Sequence, residues 1–103
     1  MYAEAWRQKI ELNATLDLLK GVPPGSYENP VVTVALRSDG SVEGVTVQRS
    51  SGVGQVDEAV RRLVELHAPY ARFSPGMAQD YDVLEIRRVW TFDAAVRLFP
   101  PGR

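Results

Sequence analysis

The sequence contains no cysteine among its 103 residues. This absence excludes disulfide bonds, thiolate metal sites and cysteine nucleophiles. The chain also lacks an apolar run of the roughly 18 residues that a bilayer span needs. It has no surplus of basic charge, with 12 basic and 13 acidic residues. Because nucleic-acid-binding proteins usually concentrate basic residues on one face, nucleic acid is not expected as a partner.

What the sequence contains is the composition of one small globular domain. A hydrophobic fraction of 45% and a charged fraction of 24% are ordinary for such a domain. A chain of this length buries one modest core between two layers of secondary structure. The first residues enter a charged helical pattern at once, without the apolar stretch of a signal peptide. We therefore expect the sequence to be a piece of a longer protein.

The clearest local signal is a β-hairpin. Residues 31–37 and 42–49 are β-rich runs, and the Asp39-Gly40 pair between them suits the positive φ angles of a hairpin turn. Val42 is out of step with the apolar residues that follow it. This mismatch predicts a bulge at Gly44.

Two helices and a third strand complete the pattern. One helix is predicted over residues 2–13, and a second over about 55–67, where apolar residues recur with a helical period. Residues 16–19 indicate a short extra turn. The third strand is predicted over 82–92, and the segment 72–79 before it is predicted to be a loop.

The connections predict the topology. A strand–helix–strand crossover returns the third strand beside the first, which gives the strand order 2-1-3. The predicted fold is an α+β two-layer sandwich, with three antiparallel strands and two helices on one face. We expect a domain over residues 1–93, with strand 82–92 on an open edge. Residues 94–103 are predicted to be a loosely attached tail. The alternative is that residues 94–99 fold back along that edge.

The residues that carry chemistry do not assemble into a catalytic or metal site. His67, the only histidine, is predicted to occupy a helix end. The pair Asp80 and Asp82 is interpreted as a solvated loop, and Asp57 as a cap in the first turn of a helix. We predict no enzyme activity, cofactor or metal. Gly52-Val53-Gly54 is interpreted as a strand-to-helix turn, because it lacks the residues of a phosphate-binding loop. Trp90 and Phe92 are interpreted as core residues of the sheet.

Several short motifs occur together and in order over about nine-tenths of the chain. They are residues 32–42, 45–52, 57–60, 68–73 and 84–92, preceded by Tyr2, Trp6, Lys9, Ile10 and Glu11. Together they resemble the C-terminal domain of the TonB family of energy transducers. Residues 12–30 depart from the pattern of that family, since the Gly-Asn and Tyr-Pro pairs of many members are absent there.

The resemblance implies a periplasmic domain, joined through a proline-rich linker to an inner-membrane helix and a proton-driven motor complex. Such domains bind the TonB box of an outer-membrane transporter by β-strand addition and transmit force for active import. The implied partner-binding residues are Asp82, Val83, Leu84, Glu85, Ile86, Arg87, Arg88 and Val89. The domain is expected as a monomer or a strand-exchanged homodimer.

Two other interpretations remain open at this point. The first keeps the fold but makes the domain a TolA-like or TonB-like envelope scaffold with a different protein partner. The second is a small enzyme, which requires a deep polar pocket containing His67.

Overall fold

The computed structural model describes residues 2–102. In chain order, its elements are helix α1 (Tyr2–Asn13), a 3₁₀ turn (Asp17–Leu19), strands β1 (Val31–Arg37) and β2 (Val42–Arg49), helices α2 (Gly54–Leu66) and α3 (Pro75–Asp80), and strands β3 (Val83–Thr91) and β4 (Arg97–Phe99). Both predicted helices, the short turn and the three predicted strands are confirmed. Within the described residues, no helix has the length and apolar character needed to cross a membrane.

The turn of the β1–β2 hairpin depends on Gly40. Its φ is 88°, in the left-handed region that favours glycine. The carboxylate of Asp39 accepts hydrogen bonds from the backbone N–H of Ser41 at 2.9 Å and from its hydroxyl at 2.6 Å. A Cβ on Gly40 would collide with the carbonyl of Tyr70, whose N–H donates to the Gly40 carbonyl at 2.8 Å. The turn therefore docks closely onto the segment that follows α2.

The predicted bulge in β2 is confirmed by the register of the hairpin. Ala35 lies opposite Gly44, but the next residue, Leu36, lies opposite Val42. The extra residue, Glu43, interrupts the alternation of side chains. As a result, Val42 returns to the same side of the sheet as the other apolar residues of β2.

One hydrophobic core lies between the sheet and the helices α1 and α2. The pleat of a strand directs every second side chain to the same face, and the amphipathic helices cover that face. This arrangement confirms the prediction that both helices pack on one face of the sheet, and it places both sheet aromatics in the core. The buried cluster consists of Trp6, Ile10, Val32, Val34, Leu36, Val56, Val60, Leu63, Val64, Tyr70, Ile86, Trp90, Phe92, Val96 and Leu98.

The sheet has four strands in the order β2-β1-β3-β4, and all neighbouring strands are antiparallel. The predicted central position of β1 and its pairing with β3 are confirmed. The prediction of only three strands is wrong, because Val96 and Leu98 are 1% and 2% exposed and attach β4 to the core. This part of the predicted tail is therefore firmly packed and folds back along β3.

The segment predicted to be a loop contains the short helix α3. The hydroxyl of Ser74 accepts a hydrogen bond from the backbone N–H of Met77 at 3.3 Å, and Pro75 occupies the start of the helix. A serine cap followed by proline is a typical helix start, and here it prevails over the loop signal of Gly76. The extended residue Tyr81 then leads the chain into β3.

Candidate functional site

The direction of each backbone group along β3 determines which part of the strand is available to another strand. The N–H of Trp90 donates to the carbonyl of Pro30, on the β1 side, at 3.0 Å. In an antiparallel sheet, successive residues direct their backbone groups to opposite sides. The N–H and C=O groups of Val83, Glu85 and Arg87 therefore point away from β1.

β4 covers only the last part of β3, since its pairing is confined to residues 89–91. If the same register continued, Pro101 would lie opposite Arg87. Proline has no N–H to donate to the opposing carbonyl, and Pro100 and Pro101 follow the strand directly. β4 therefore ends before this position. Among the described residues, no strand pairs with the outward side of Val83–Arg88, which we name the open edge.

The outer side of β4 is protected by helix α1. The N–H of Leu98, which points away from β3, donates to Glu11 Oε2 at 2.9 Å. The other carboxylate oxygen of Glu11 accepts a hydrogen bond from Arg7 Nη1 at 2.7 Å. The Glu11 carboxylate therefore bonds the outward N–H at the middle of β4. The open edge of β3 begins beyond the end of β4.

The opposite edge of the sheet is formed by β2, and a side chain of α2 bonds one of its outward carbonyls. Arg61 on α2 donates from Nη1 to the carbonyl of Val45 at 3.1 Å. The backbone groups of Thr46 point toward its β1 partner Thr33. Because successive residues of a strand direct their backbone groups to opposite sides, the Val45 carbonyl lies on the outer side of β2. Within the described part of the chain, the outer side of β2 thus has no partner strand along Val42–Arg49 either, and the bond from Arg61 satisfies one of its outward carbonyls.

The residues predicted to bind a partner occupy three different environments. Asp82 precedes β3 and is exposed. Residues 83–88 form the open edge, whereas Val89 pairs with Phe99 of β4. The side chain of Ile86 is 3% exposed and belongs to the core. The structure therefore narrows the candidate site to the backbone of the open edge and to its exposed side chains.

The charged side chains at the open edge lie on both faces of the sheet. Glu85 and Arg87 are exposed on the face away from the helices, and Arg88 is half-buried on the helix side. Arg88 Nη1 donates to the carbonyl of Arg87 at 2.8 Å. One outward acceptor of the open edge is thus covered by a side chain of the same strand. This contact depends on a side-chain conformation, so the sequence contains no pattern from which to predict it.

Glu4, in the first turn of helix α1, is held by Arg7 on the same helix. Two hydrogen bonds from Arg7 to the carboxylate of Glu4 hold the pKa of that carboxyl below its ordinary value, and the positive charge of Arg88 contributes in the same direction. Arg87 and Arg88 form no ion pair with any residue of the described range 2–102. The open edge therefore carries two arginines that are not ion-paired within that range, together with the carboxylate of Glu85.

His67 occupies the end of α2, as the sequence predicts. Its backbone N–H bonds the carbonyl of Glu65, and its side chain borders a shallow depression with Leu63 and Leu66. Within residues 2–102, no hydrogen bond reaches the imidazole ring. The polar residues Asn13, Thr15 and Asp17 line the same depression, but none of them is hydrogen-bonded to the His67 ring within the described residues.

Asp57 stabilises the turn between β2 and α2. Its carboxylate accepts hydrogen bonds from the Ser51 N–H at 2.9 Å and the Ser51 hydroxyl at 2.7 Å, and also from the Ser50 hydroxyl. Burial alone would raise the pKa of Asp57, but these hydrogen bonds together hold the pKa below its ordinary value. Asp57 lies in the first turn of α2 as predicted, but its carboxylate bonds residues before the helix and none of the helix's own N–H groups, so the predicted capping of the helix is wrong.

The remaining candidates have structural positions. Asp80 ends α3 and Asp82 lies in the connection to β3, both exposed. The described part of the chain contains no group of three or more potential metal ligands. Gly52 makes the β2–α2 turn with a φ of 85°.

The fold and the open edge define a small α+β interaction domain whose sheet presents unpaired backbone groups. Residues 1–86 match the family described as TonB C terminal, and the chain belongs to this family. Comparison with characterised proteins and with solved structures gives no significant match. Domains of this family are typically periplasmic, and they act in energy transduction and in interaction with outer-membrane proteins rather than in catalysis. The match ends within β3, so Arg87, Arg88 and β4 lie outside it.

Proposed function

We propose that this domain is the receptor-binding part of a TonB-like energy transducer. It binds the TonB box of an outer-membrane transporter by β-strand addition and transmits force from a proton-driven motor complex in the inner membrane. Family membership supports the class, and the open edge at Val83–Arg88 is the observation that supports the mode of binding. An edge with unpaired backbone N–H and C=O groups is a surface to which a partner strand can add.

The dimensions of the open edge limit the bound segment to a short one. Val83, Glu85 and Arg87 supply its outward donors and acceptors, while Phe99 occupies the position beside Val89. Since β4 is held by buried side chains and by the bond from Leu98 to Glu11, it remains in place when the peptide binds. The TonB box therefore pairs with β3 on the same side as β4, along the part of β3 that β4 leaves unpaired.

A proline substitution at Glu85 tests this mode of binding. The Glu85 side chain is exposed and its N–H points outward, so proline removes a donor from the open edge without removing a bond to β1. Glu85→Ala is the matched control, because it removes the side chain and keeps the N–H. We expect Glu85→Pro to abolish the binding of a fluorescein-labelled TonB-box peptide, and Glu85→Ala to weaken it only modestly.

Circular dichroism establishes whether both variants are folded. Equal peptide binding by folded Glu85→Pro and Glu85→Ala would contradict strand addition at this edge. If the wild-type domain binds no TonB-box peptide at all, the transducer proposal is wrong. That result would favour the envelope scaffold with a different protein partner.

A further inference from the structure

Two consecutive prolines, Pro100 and Pro101, follow β4 directly. The N–H of Leu98 points away from β3, where it bonds Glu11. Successive residues of a strand direct their backbone groups to opposite sides. If β4 continued beyond Phe99, the nitrogen of Pro100 would therefore also point away from β3, and the nitrogen of Pro101 would point toward it.

The two prolines therefore differ in their effect on the extension of β4. Proline is compatible with an edge strand where its nitrogen faces outward, because no bond between the strands is lost there. Pro100 meets this condition. Pro101 does not, since the continued register places it opposite Arg87, whose carbonyl needs an N–H from the neighbouring strand. Pro101 is thus the residue of the pair that stops β4.

A side chain of β3 itself bonds the acceptor for which Pro101 has no donor. Arg88 Nη1 donates to the carbonyl of Arg87 at 2.8 Å. This bond comes from the same strand and requires no residue of the C-terminal segment 100–102. Among the described residues, the N–H of Arg87 has no backbone acceptor on its outward side. Neither backbone group of Arg87 is therefore bonded by the backbone of the C-terminal segment.

A C-terminal segment able to pair with β3 would compete with a partner strand for the open edge. The segment is attached to β3 through β4, so its effective concentration at Arg87 would be about millimolar or higher. Pairing of residue 101 with Arg87 would leave only Val83 and Glu85 with free outward backbone groups. The site for a partner strand would then lose one of its three outward residues.

We infer that Pro101 is a positioning residue that prevents β4 from extending along β3 and thereby keeps Arg87 available to a partner strand. The effect on partner binding rests on the proposed strand addition, and it adds how the site is kept free of the domain's own C-terminal segment. Arg88 complements Pro101, because its guanidinium bonds the Arg87 carbonyl while no strand is present.

Three single substitutions separate the contributions of these residues. Pro101→Thr restores an N–H directed at the Arg87 carbonyl. Pro100→Thr is the matched control, because it makes the same replacement one position earlier and leaves Pro101 in place. Arg88→Ala removes the guanidinium from the Arg87 carbonyl and also leaves Pro101 in place. Thermal melts of all three variants show whether each is folded.

Amide hydrogen exchange of Arg87, measured by NMR in the free domain, reports the extension of β4 without any partner. In Pro101→Thr the Arg87 N–H gains the carbonyl of residue 101 as an acceptor. We expect its exchange to slow about two- to tenfold, the effect of one net hydrogen bond. In Pro100→Thr and Arg88→Ala the exchange of Arg87 should stay at the wild-type rate.

Fluorescence anisotropy with a fluorescein-labelled TonB-box peptide tests the consequence for binding. We expect Pro101→Thr to bind the peptide about two- to tenfold more weakly than the wild type, since the peptide has to displace one hydrogen-bonded pair. Pro100→Thr should bind like the wild type.

Three results would overturn the inference. The first is unchanged Arg87 exchange in folded Pro101→Thr, and the second is equal slowing in Pro100→Thr or Arg88→Ala. The third is slowed exchange in Pro101→Thr together with wild-type affinity for the peptide. If the wild-type domain binds no TonB-box peptide while the exchange of Arg87 slows only in Pro101→Thr, the proposed function fails and Pro101 is still the residue that stops β4.

Discussion

Replacement of Leu98 by alanine tests whether β4 is an integral part of the fold. Leu98 is 2% exposed and lies opposite Trp90 on β3. Alanine keeps the backbone bonds of β4, including the one to Glu11, and removes only the buried side chain. Truncation of a buried leucine costs about 3 kcal/mol, out of a total stability of roughly 5–15 kcal/mol for a domain of this size.

The matched control is the next residue, Phe99, which is 49% exposed. Phe99→Ala changes the same short strand but removes much less buried surface, so we expect it to cost less than about 1 kcal/mol. In a domain of this size each kcal/mol shifts the melting temperature by about 4–8 °C. Leu98→Ala should therefore melt more than about 10 °C below the wild type.

Urea denaturation followed by tryptophan fluorescence gives the free energy of unfolding for both variants. If Leu98→Ala and Phe99→Ala lose the same small amount of stability, then β4 is a loosely attached tail and the packing described for it is wrong. Such a result would also remove the reason for limiting the open edge to Val83–Arg88.

Two further predictions concern the turns. Gly40→Ala and Gly52→Ala both place a side chain at positive φ, but only the side chain at position 40 collides with a neighbour, the Tyr70 carbonyl. Thermal melts should show a loss of stability of about 1 kcal/mol for Gly52→Ala and a clearly larger loss for Gly40→Ala. Equal losses would contradict the close docking of the hairpin. Asp57→Asn should cost about 1 kcal/mol at neutral pH. Because the folded pKa of Asp57 lies below its ordinary value of 3.8, the stabilisation is present above that value and is lost as the pH falls through the folded pKa. In urea denaturation from neutral to acid pH, the gap between wild type and Asp57→Asn should close; a gap of constant size would be evidence against the carboxylate's role.

Much of the fold was predictable because local signals agreed with each other. The Asp39-Gly40 pair specifies the hairpin turn, and the parity of Val42 reveals the bulge before any register is known. The pairing of β1 with β3 follows from the direction in which the crossover connection returns the chain. These features depend on residues that are close in sequence or on general rules of topology.

β4 was not predictable in the same way. Its three residues are too short to show a strand period, and Pro100 and Pro101 give the segment the composition of a tail. Only the alternation of Val96 and Leu98 indicates that this segment is buried. The two residues indicate a strand only when the position of Trp90 on β3, against which Leu98 packs, is known. Tertiary contacts therefore decide this strand.

The candidate site was predictable as a strand but not as a set of available groups. The sequence identifies residues 82–89 as an edge, whereas the register shows that Val89 is already paired and that Glu85 and Arg87 face outward. The position of the Arg88 guanidinium on the Arg87 carbonyl is a long-side-chain conformation, and no spacing of residue types encodes it.

Amide hydrogen exchange, measured by NMR with and without a TonB-box peptide, tests strand addition at the open edge most directly. Ile86 serves as the internal reference, since its N–H faces β1 and is protected in the free domain. Strand addition predicts that the N–H groups of Glu85 and Arg87 exchange rapidly in the free domain and slow markedly when the peptide is bound. A bound peptide that leaves the exchange of Glu85 and Arg87 unchanged would contradict the account, because it would have to bind at another surface.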